Sequence, residues 1–94
     1  MLLIHNTSQV IQITAEPQRG AELGTLNILP HGAVLLDGEH ILAVGEPAEL
    51  LLAHPEADLL DAGGKAVLPG LVDPHTHLVW AGDRLDEFEM RLQG

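Results

Sequence analysis

An apolar segment of this chain is bracketed by turn signals and ends in two histidines. Pro69-Gly70 predicts a turn, and Leu71-Val72 is too short and too β-branched to begin a helix. Side chains of an extended chain alternate between its two faces, so His75 and His77 are expected to project from the same side. Two imidazoles in this arrangement can reach one metal ion through their ring nitrogens.

The two histidines alone are a weak metal signal, and two solvated side chains at a strand end are the alternative interpretation. The residues around them favour the metal. The segment 68–77 resembles the first barrel strand of the amidohydrolase superfamily, whose His-x-His supplies two metal ligands at the mouth of a (β/α)8 barrel. The continuation 78–94 narrows the resemblance to the imidazolonepropionase family, which usually has Phe where this chain has Trp80.

The family resemblance implies a reaction and a site. The reaction is hydrolysis of the ring C–N bond of 4-imidazolone-5-propanoate to N-formimidoyl-L-glutamate, in histidine degradation. The implied cofactor is one divalent or trivalent metal ion, zinc or iron, with His75 and His77 as ligands. Both metals suit imidazole.

Arg84 matches the arginine that binds the substrate in that family. Its planar guanidinium suits the propionate carboxylate of the substrate. The alternative for Arg84 is a solvated charge paired with Asp83 or Glu87. Two roles are considered for Asp73, orienting a ligand imidazole and shaping the turn before Pro74, and the turn is favoured. No residue is assigned as a catalytic acid or base.

A chain of 94 residues is too short for the whole of such an enzyme. A catalytic zinc normally has three protein ligands plus water, and a (β/α)8 barrel needs about 200 residues or more. We therefore expect an N-terminal fragment that is inactive by itself. Residues 1–68 would form part of a small composite β-sandwich, and residues 69–94 the first barrel strand and the following helix.

The local patterns predict a mainly β fold. Residues 1–14 indicate a strand with a polar interruption, and Asp37-Gly38 predicts a hairpin turn between 33–36 and 41–45. Pro47 begins a predicted helix over 47–54. A second helix carries one apolar stripe, consisting of Leu85, Phe88 and Leu92. The remaining histidines are interpreted as solvated loop residues: His5, His31, His40 and His54.

The composition of the chain limits the kinds of molecule that it can bind. A formal charge of −10 argues against nucleic acid and against anionic membrane surfaces. The chain has no cysteine, no signal peptide and no membrane-spanning run, so the cytoplasm is the expected compartment. The expected partners are a small-molecule substrate and a second copy of the chain, bound through the exposed barrel strand and helix over 71–92. If no partner forms, the expected alternative is disorder of that segment.

Two other interpretations stay open. One is the beginning of a different amidohydrolase, dihydroorotase-like or deaminase-like, and the other is a non-catalytic β-sandwich binding module with a vestigial His-x-His. Arg84 and the residues that follow it, 86–92, favour the imidazolonepropionase type over another amidohydrolase.

Overall fold

The computed structural model describes residues 1–76 and 82–94, and within them β-strands predominate. The strands are β1 Leu2–His5, β2 Gln9–Gln12, β3 Asn27–Pro30, β4 Ala33–Asp37, β5 His40–Gly45, β6 Asp58–Asp61 and β7 Ala66–Val67. The helices are α1 Pro47–Ala53 and α2 Leu85–Gln93, and a single 3₁₀ turn covers Gly20–Glu22. The expectation of a mainly β chain is confirmed. Neither α1 nor α2 is long and apolar enough to cross a membrane, and the described residues contain no other helix that is.

The strands form two sheets. The first sheet has the order β5-β4-β1-β6, and the second has the order β3-β2-β7. β1 is antiparallel to β4 and parallel to β6 in the first sheet. In the same way, β2 is antiparallel to β3 and parallel to β7 in the second sheet.

The hairpin between β4 and β5 turns where the sequence predicts it. Asp37 pairs with His40, so the loop is Gly38-Glu39, and Gly38 has a φ of 56°. Glycine at the first central position is the preference of type II′ turns, whose twist matches that of the flanking strands. Further along, Leu35 pairs with Ala43 but Leu36 with Ile41, which makes Leu42 an additional residue in β5. This β-bulge was not predicted.

The buried core lies between the first sheet and α1. Leu3 and Leu35 are opposite each other on β1 and β4 and are the largest fully buried side chains. They pack with Ala33 and Ala57, and Leu50 of α1 covers the cluster from outside. Pro47 stands at the start of α1, where its missing N–H is not needed, and α1 begins as predicted.

Two sequence predictions are wrong in detail. The single strand expected over 1–14 is two strands in different sheets, because the chain changes sheet at residues 6–8. His5, expected in a loop, therefore lies in β1 and is half-buried.

The strand expected from Leu71 onward is also absent from residues 68–76, which are irregular and exposed. A strand needs a partner for its backbone groups, and in the part of the chain that the structure describes nothing pairs with this segment. Residues 77–81 lie outside the described part of the chain, and so do the predictions that concern them.

Candidate metal centre

His75 lies in the exposed segment that follows β7. Its backbone N–H donates a hydrogen bond to Oδ1 of Asp73 at 3.1 Å. This bond closes a small turn across Pro74, and it agrees with the interpretation of Asp73 as a turn-forming residue. His77, the second predicted ligand, lies outside the described residues, so the geometry of the pair stays a prediction.

The described residues do not complete a metal site. Within 1–76 and 82–94, no group of three or more His, Asp or Glu side chains could hold a metal ion. The imidazole of His75 is exposed and has the donor chemistry that zinc and iron accept. The chemistry of His75 is compatible with a metal ligand, but the described residues around it do not form a metal site.

Arg84 stands immediately before α2, and its guanidinium pairs with Glu87. Arg84 Nε donates to Glu87 Oε2 at 2.8 Å, and a second nitrogen contacts the same oxygen. The Leu85 N–H donates to Asp83 Oδ1 at 3.2 Å, which forms a turn just before the helix; the N-cap residue itself, Arg84, makes no side-chain capping bond. The ion pair is the alternative that the sequence offered for Arg84, and its partner is Glu87, not Asp83. The side chain of Arg84 is 77% exposed, so its guanidinium remains accessible from solvent beside Glu87.

Three short connections between the two sheets lie together in the fold: residues 6–8, 31–32 and 62–65. We call this feature the corner. These three stretches cross from one sheet to the other side by side. The Gly64 N–H donates to the Asn6 carbonyl at 2.8 Å, and the Ser8 N–H donates to the Lys65 carbonyl at 3.1 Å. Because β7 follows the corner directly, the corner determines where the segment leading to His75 leaves the second sheet.

Side chains hold the corner as well. Thr7 is buried, and its hydroxyl donates to the carbonyl of Gly32 at 2.7 Å. The Asn6 side chain donates to Asp61 Oδ1 at 2.6 Å, and the Gly63 N–H donates to the same oxygen at 2.7 Å. Asn6 has a φ of 54°, a left-handed conformation that asparagine tolerates better than most residues.

The corner lowers the pKa of Asp61 below its ordinary value. The largest cause is the hydrogen bond from the Gly63 N–H, followed by the bond from the Asn6 amide. Slight burial acts in the opposite direction, and the nearby His5 adds a small lowering effect. Donors directed at a carboxylate favour its charged form.

Neither the corner nor a second feature, an apolar groove, was identified from the sequence. The groove has a volume of about 330 Å³ and opens between the two sheets. Ile11, Ile13, Val34 and Ile41 line it, together with the start of the segment after β7. The corner was missed because it joins residues far apart in the chain. The sequence feature that could have indicated it is the polar Asn6-Thr7-Ser8 between two apolar runs.

The other described histidines belong to different elements or loops of the fold. His31 and His40 are exposed as predicted, and His31 Nδ1 lies 3.3 Å from the Thr7 carbonyl oxygen within the corner. His54 is partly buried at the end of α1, with Nδ1 3.6 Å from Glu56 Oε1.

Comparison with known proteins identifies imidazolonepropionases as relatives of this chain. The family model described as "Imidazolonepropionase-like composite domain, bacteria" matches residues 32–57, which include β4, β5 and α1. The imidazolonepropionase of Deinococcus radiodurans is 51% identical over 88 residues, which is 93% of this chain and 21% of the relative. The imidazolonepropionase of Rubrobacter xylanophilus is 43% identical over 97 residues, and that of Chloroflexus aggregans is 42% identical over 95; each match covers 99% of this chain.

The chain spans only 23% and 22% of the lengths of those last two relatives. The resemblance inferred from 68–94 is confirmed, and it extends along the whole chain, including the β-sheets for which the sequence carries few specific motifs.

Proposed function

We propose that this chain, whose sequence matches the N-terminal region of imidazolonepropionases along its length, supplies the first part of a metal-dependent cyclic amidohydrolase. The proposed reaction opens the ring C–N bond of 4-imidazolone-5-propanoate and yields N-formimidoyl-L-glutamate. The observation that carries the proposal is the match over 93–99% of the chain to enzymes of that name.

In this proposal His75 and His77 are two ligands of one zinc or iron ion. The bound metal would supply hydroxide near neutral pH by lowering the pKa of its water. Arg84 binds the carboxylate of the substrate, and it exchanges its present partner Glu87 for that carboxylate. A bidentate pair with a carboxylate is stronger and more directional than the exposed ion pair it replaces.

The remaining ligands and the proton-transferring groups belong to the rest of the enzyme. The described residues contain no cluster that could replace them. The 94-residue chain is therefore expected to be inactive with added zinc or iron. Turnover by the isolated chain that depends on metal and is abolished by His75→Ala would contradict this division of the site.

A chimera tests the proposal. Residues 1–94 replace the matching N-terminal segment of the Deinococcus radiodurans enzyme, to which the chain is 51% identical over 88 residues. We expect the chimera to hydrolyse 4-imidazolone-5-propanoate, and His75→Ala or His77→Ala to abolish hydrolysis with loss of bound metal. His54→Ala, which changes a histidine at the far end of α1, is the control and should leave activity unchanged.

The same chimera separates the roles of the site residues. Arg84→Lys should raise KM for the substrate more than it lowers kcat, because lysine keeps the charge but loses the bidentate geometry. A chimera that folds and binds metal but shows no hydrolysis of this substrate would reject the proposal. A panel of dihydroorotate and amino-purine substrates then tests the other amidohydrolase types.

A further inference from the structure

The segment around His75 belongs to neither sheet. Leu71 and Val72 before it are 95% and 87% exposed, and no strand forms over 68–76. The order that the structure shows here is local: the His75 N–H donates to Asp73 Oδ1, and Pro74 between them has its φ fixed by its ring. Together they leave few backbone conformations for the residue that carries the imidazole.

The same arrangement occurs at two other changes of direction in the chain. Asp61 Oδ1 accepts the Gly63 N–H at 2.7 Å, and Asp83 Oδ1 accepts the Leu85 N–H at 3.2 Å. In each case an aspartate side chain accepts from the backbone two residues later, which is the Asx-turn geometry. At Asp73 the residue whose backbone is fixed is the candidate metal ligand.

We propose that Asp73 is a positioning residue for His75, and that it acts through the acceptor atom Oδ1 and not through its negative charge. The inference rests on the proposed function in one respect, the assignment of His75 as a metal ligand. A ligand whose backbone is already fixed loses less conformational freedom when the metal binds. The turn therefore increases metal affinity without contacting the metal.

Asparagine separates the two roles that an aspartate could play here. Asp73→Asn keeps an Oδ1 acceptor and removes the charge, whereas Asp73→Ala removes both. Asp83→Ala is the matched control, because it removes the same kind of turn at the start of α2 and leaves the turn at His75 intact. Asp73 is exposed and outside the β-sheets, and amide signals of β1 and β6 report whether each variant keeps the fold.

The test uses the 94-residue chain and two measurements. NMR of the metal-free chain gives the exchange rate and temperature dependence of the His75 amide, and a zinc titration followed by the His75 ring signals gives the zinc affinity. We expect Asp73→Ala to expose the His75 amide and to weaken zinc binding about 10-fold, at the lower end of the effect of removing residues that orient metal ligands. Asp73→Asn and Asp83→Ala should change neither measurement.

Two results would overturn the inference while leaving the proposed function intact. One is an Asp73→Ala chain whose His75 amide is exposed but whose zinc affinity is unchanged. The other is an Asp73→Asn chain that keeps the amide bond yet loses zinc as Asp73→Ala does, since that would assign the effect to charge. If His75→Ala binds zinc as well as the unaltered chain, the ligand assignment itself is wrong, and the positioning role fails with it.

Discussion

Asp61 links two distant parts of the chain with a single oxygen atom. Oδ1 accepts from the Asn6 side chain and from the Gly63 N–H, and these bonds join β1, β6 and the stretch that leads to β7. We expect Asp61→Ala to lower the free energy of unfolding, because both donors lose their acceptor. Urea unfolding of the two chains at neutral pH measures the difference.

The effect of Asp61 should depend on pH in a defined direction. Its pKa in the folded chain lies below the ordinary value of 3.8, so its stabilising contribution is complete above that value and is lost as the pH falls through the lowered pKa. The difference between the unaltered chain and Asp61→Ala should therefore shrink only below about pH 3.8. Asp58→Ala, at the other end of β6, is the control; an equal loss of stability there would show that the corner contributes nothing particular.

Gly32 occupies a position in the corner where a side chain does not fit. A Cβ atom there would lie 2.6 Å from Leu29 Cδ2 and 3.2 Å from Val10 Cγ2. Overpacking of this kind costs about 1–3 kcal/mol, so Gly32→Ala should lower the free energy of unfolding by that amount. Gly70→Ala is the matched control, because a Cβ atom at Gly70 meets nothing within 4 Å. Equal stability of the two variants, measured by urea unfolding, would contradict the packing argument.

At the scale of elements, the bulge in β5 controls which side chains reach the groove. Val34 pairs with Val44, and Leu36 pairs with Ile41, so Val44 and Ile41 lie on the groove side although three positions separate them along β5. Regular alternation would place residues three apart on opposite faces. Because Leu42 is an additional residue between them, Ile41 and Val44 lie on the same face of β5.

Deletion of Leu42 should therefore be tolerated. The shortened strand keeps Ala43 opposite Leu35 and Ile41 opposite Leu36, which is a regular antiparallel ladder with the hairpin loop unchanged. Deletion of Val44 is the control, because it moves Leu42 into the place of Ala43 beside the core. Thermal unfolding should show a small loss for the first deletion and a large one for the second. The reverse order would show that the bulge itself is required.

The sequence predicted the elements that depend on neighbouring residues, such as the hairpin and the start of α1. It did not predict the long-range contacts that connect these elements. Gly38 determines the hairpin and Pro47 the start of α1 because their effects act within one turn. The bond between Asn6 and Asp61 spans 55 positions, and no local pattern shows that the two meet. At the candidate site the turn at Asp73 could be predicted for the same reason as the hairpin, whereas the strand after Pro69-Gly70 could not form without neighbours to pair with.

At the scale of the whole molecule, the chain is far from compact. Its radius of gyration is 20.6 Å, where a compact domain of this length would have about 12 Å. Among the described residues, the buried ones lie in β1, β2 and β4 or in the loops beside the strands, at Thr7 and Ala57, whereas every residue of α2 is exposed. The exposed residues of α2 include the large apolar side chains of Leu85, Phe88, Met90 and Leu92.

That surface leads to a prediction of self-association through 71–92. Leu85, Phe88 and Leu92 form an uncovered stripe on α2, and burying each such side chain contributes about 1.5–3 kcal/mol. The net charge of −10 opposes association, but at 0.1 M salt the repulsion between charges more than about 10 Å apart is largely screened. We expect the sedimenting mass to rise with concentration in the micromolar range at moderate salt, and less at low salt.

Two variants decide whether the stripe on α2 is responsible. Phe88→Glu should return the chain to a monomer, because a charge in the stripe cannot be buried without a large cost. Leu52→Glu is the control: Leu52 lies on α1, is 84% exposed, and lies outside the proposed interface. The Leu52→Glu substitution should leave association unchanged if the contact runs through α2. A chain that stays monomeric at every concentration in moderate salt would contradict the prediction, and so would equal effects of the two substitutions, because general repulsion would then explain both.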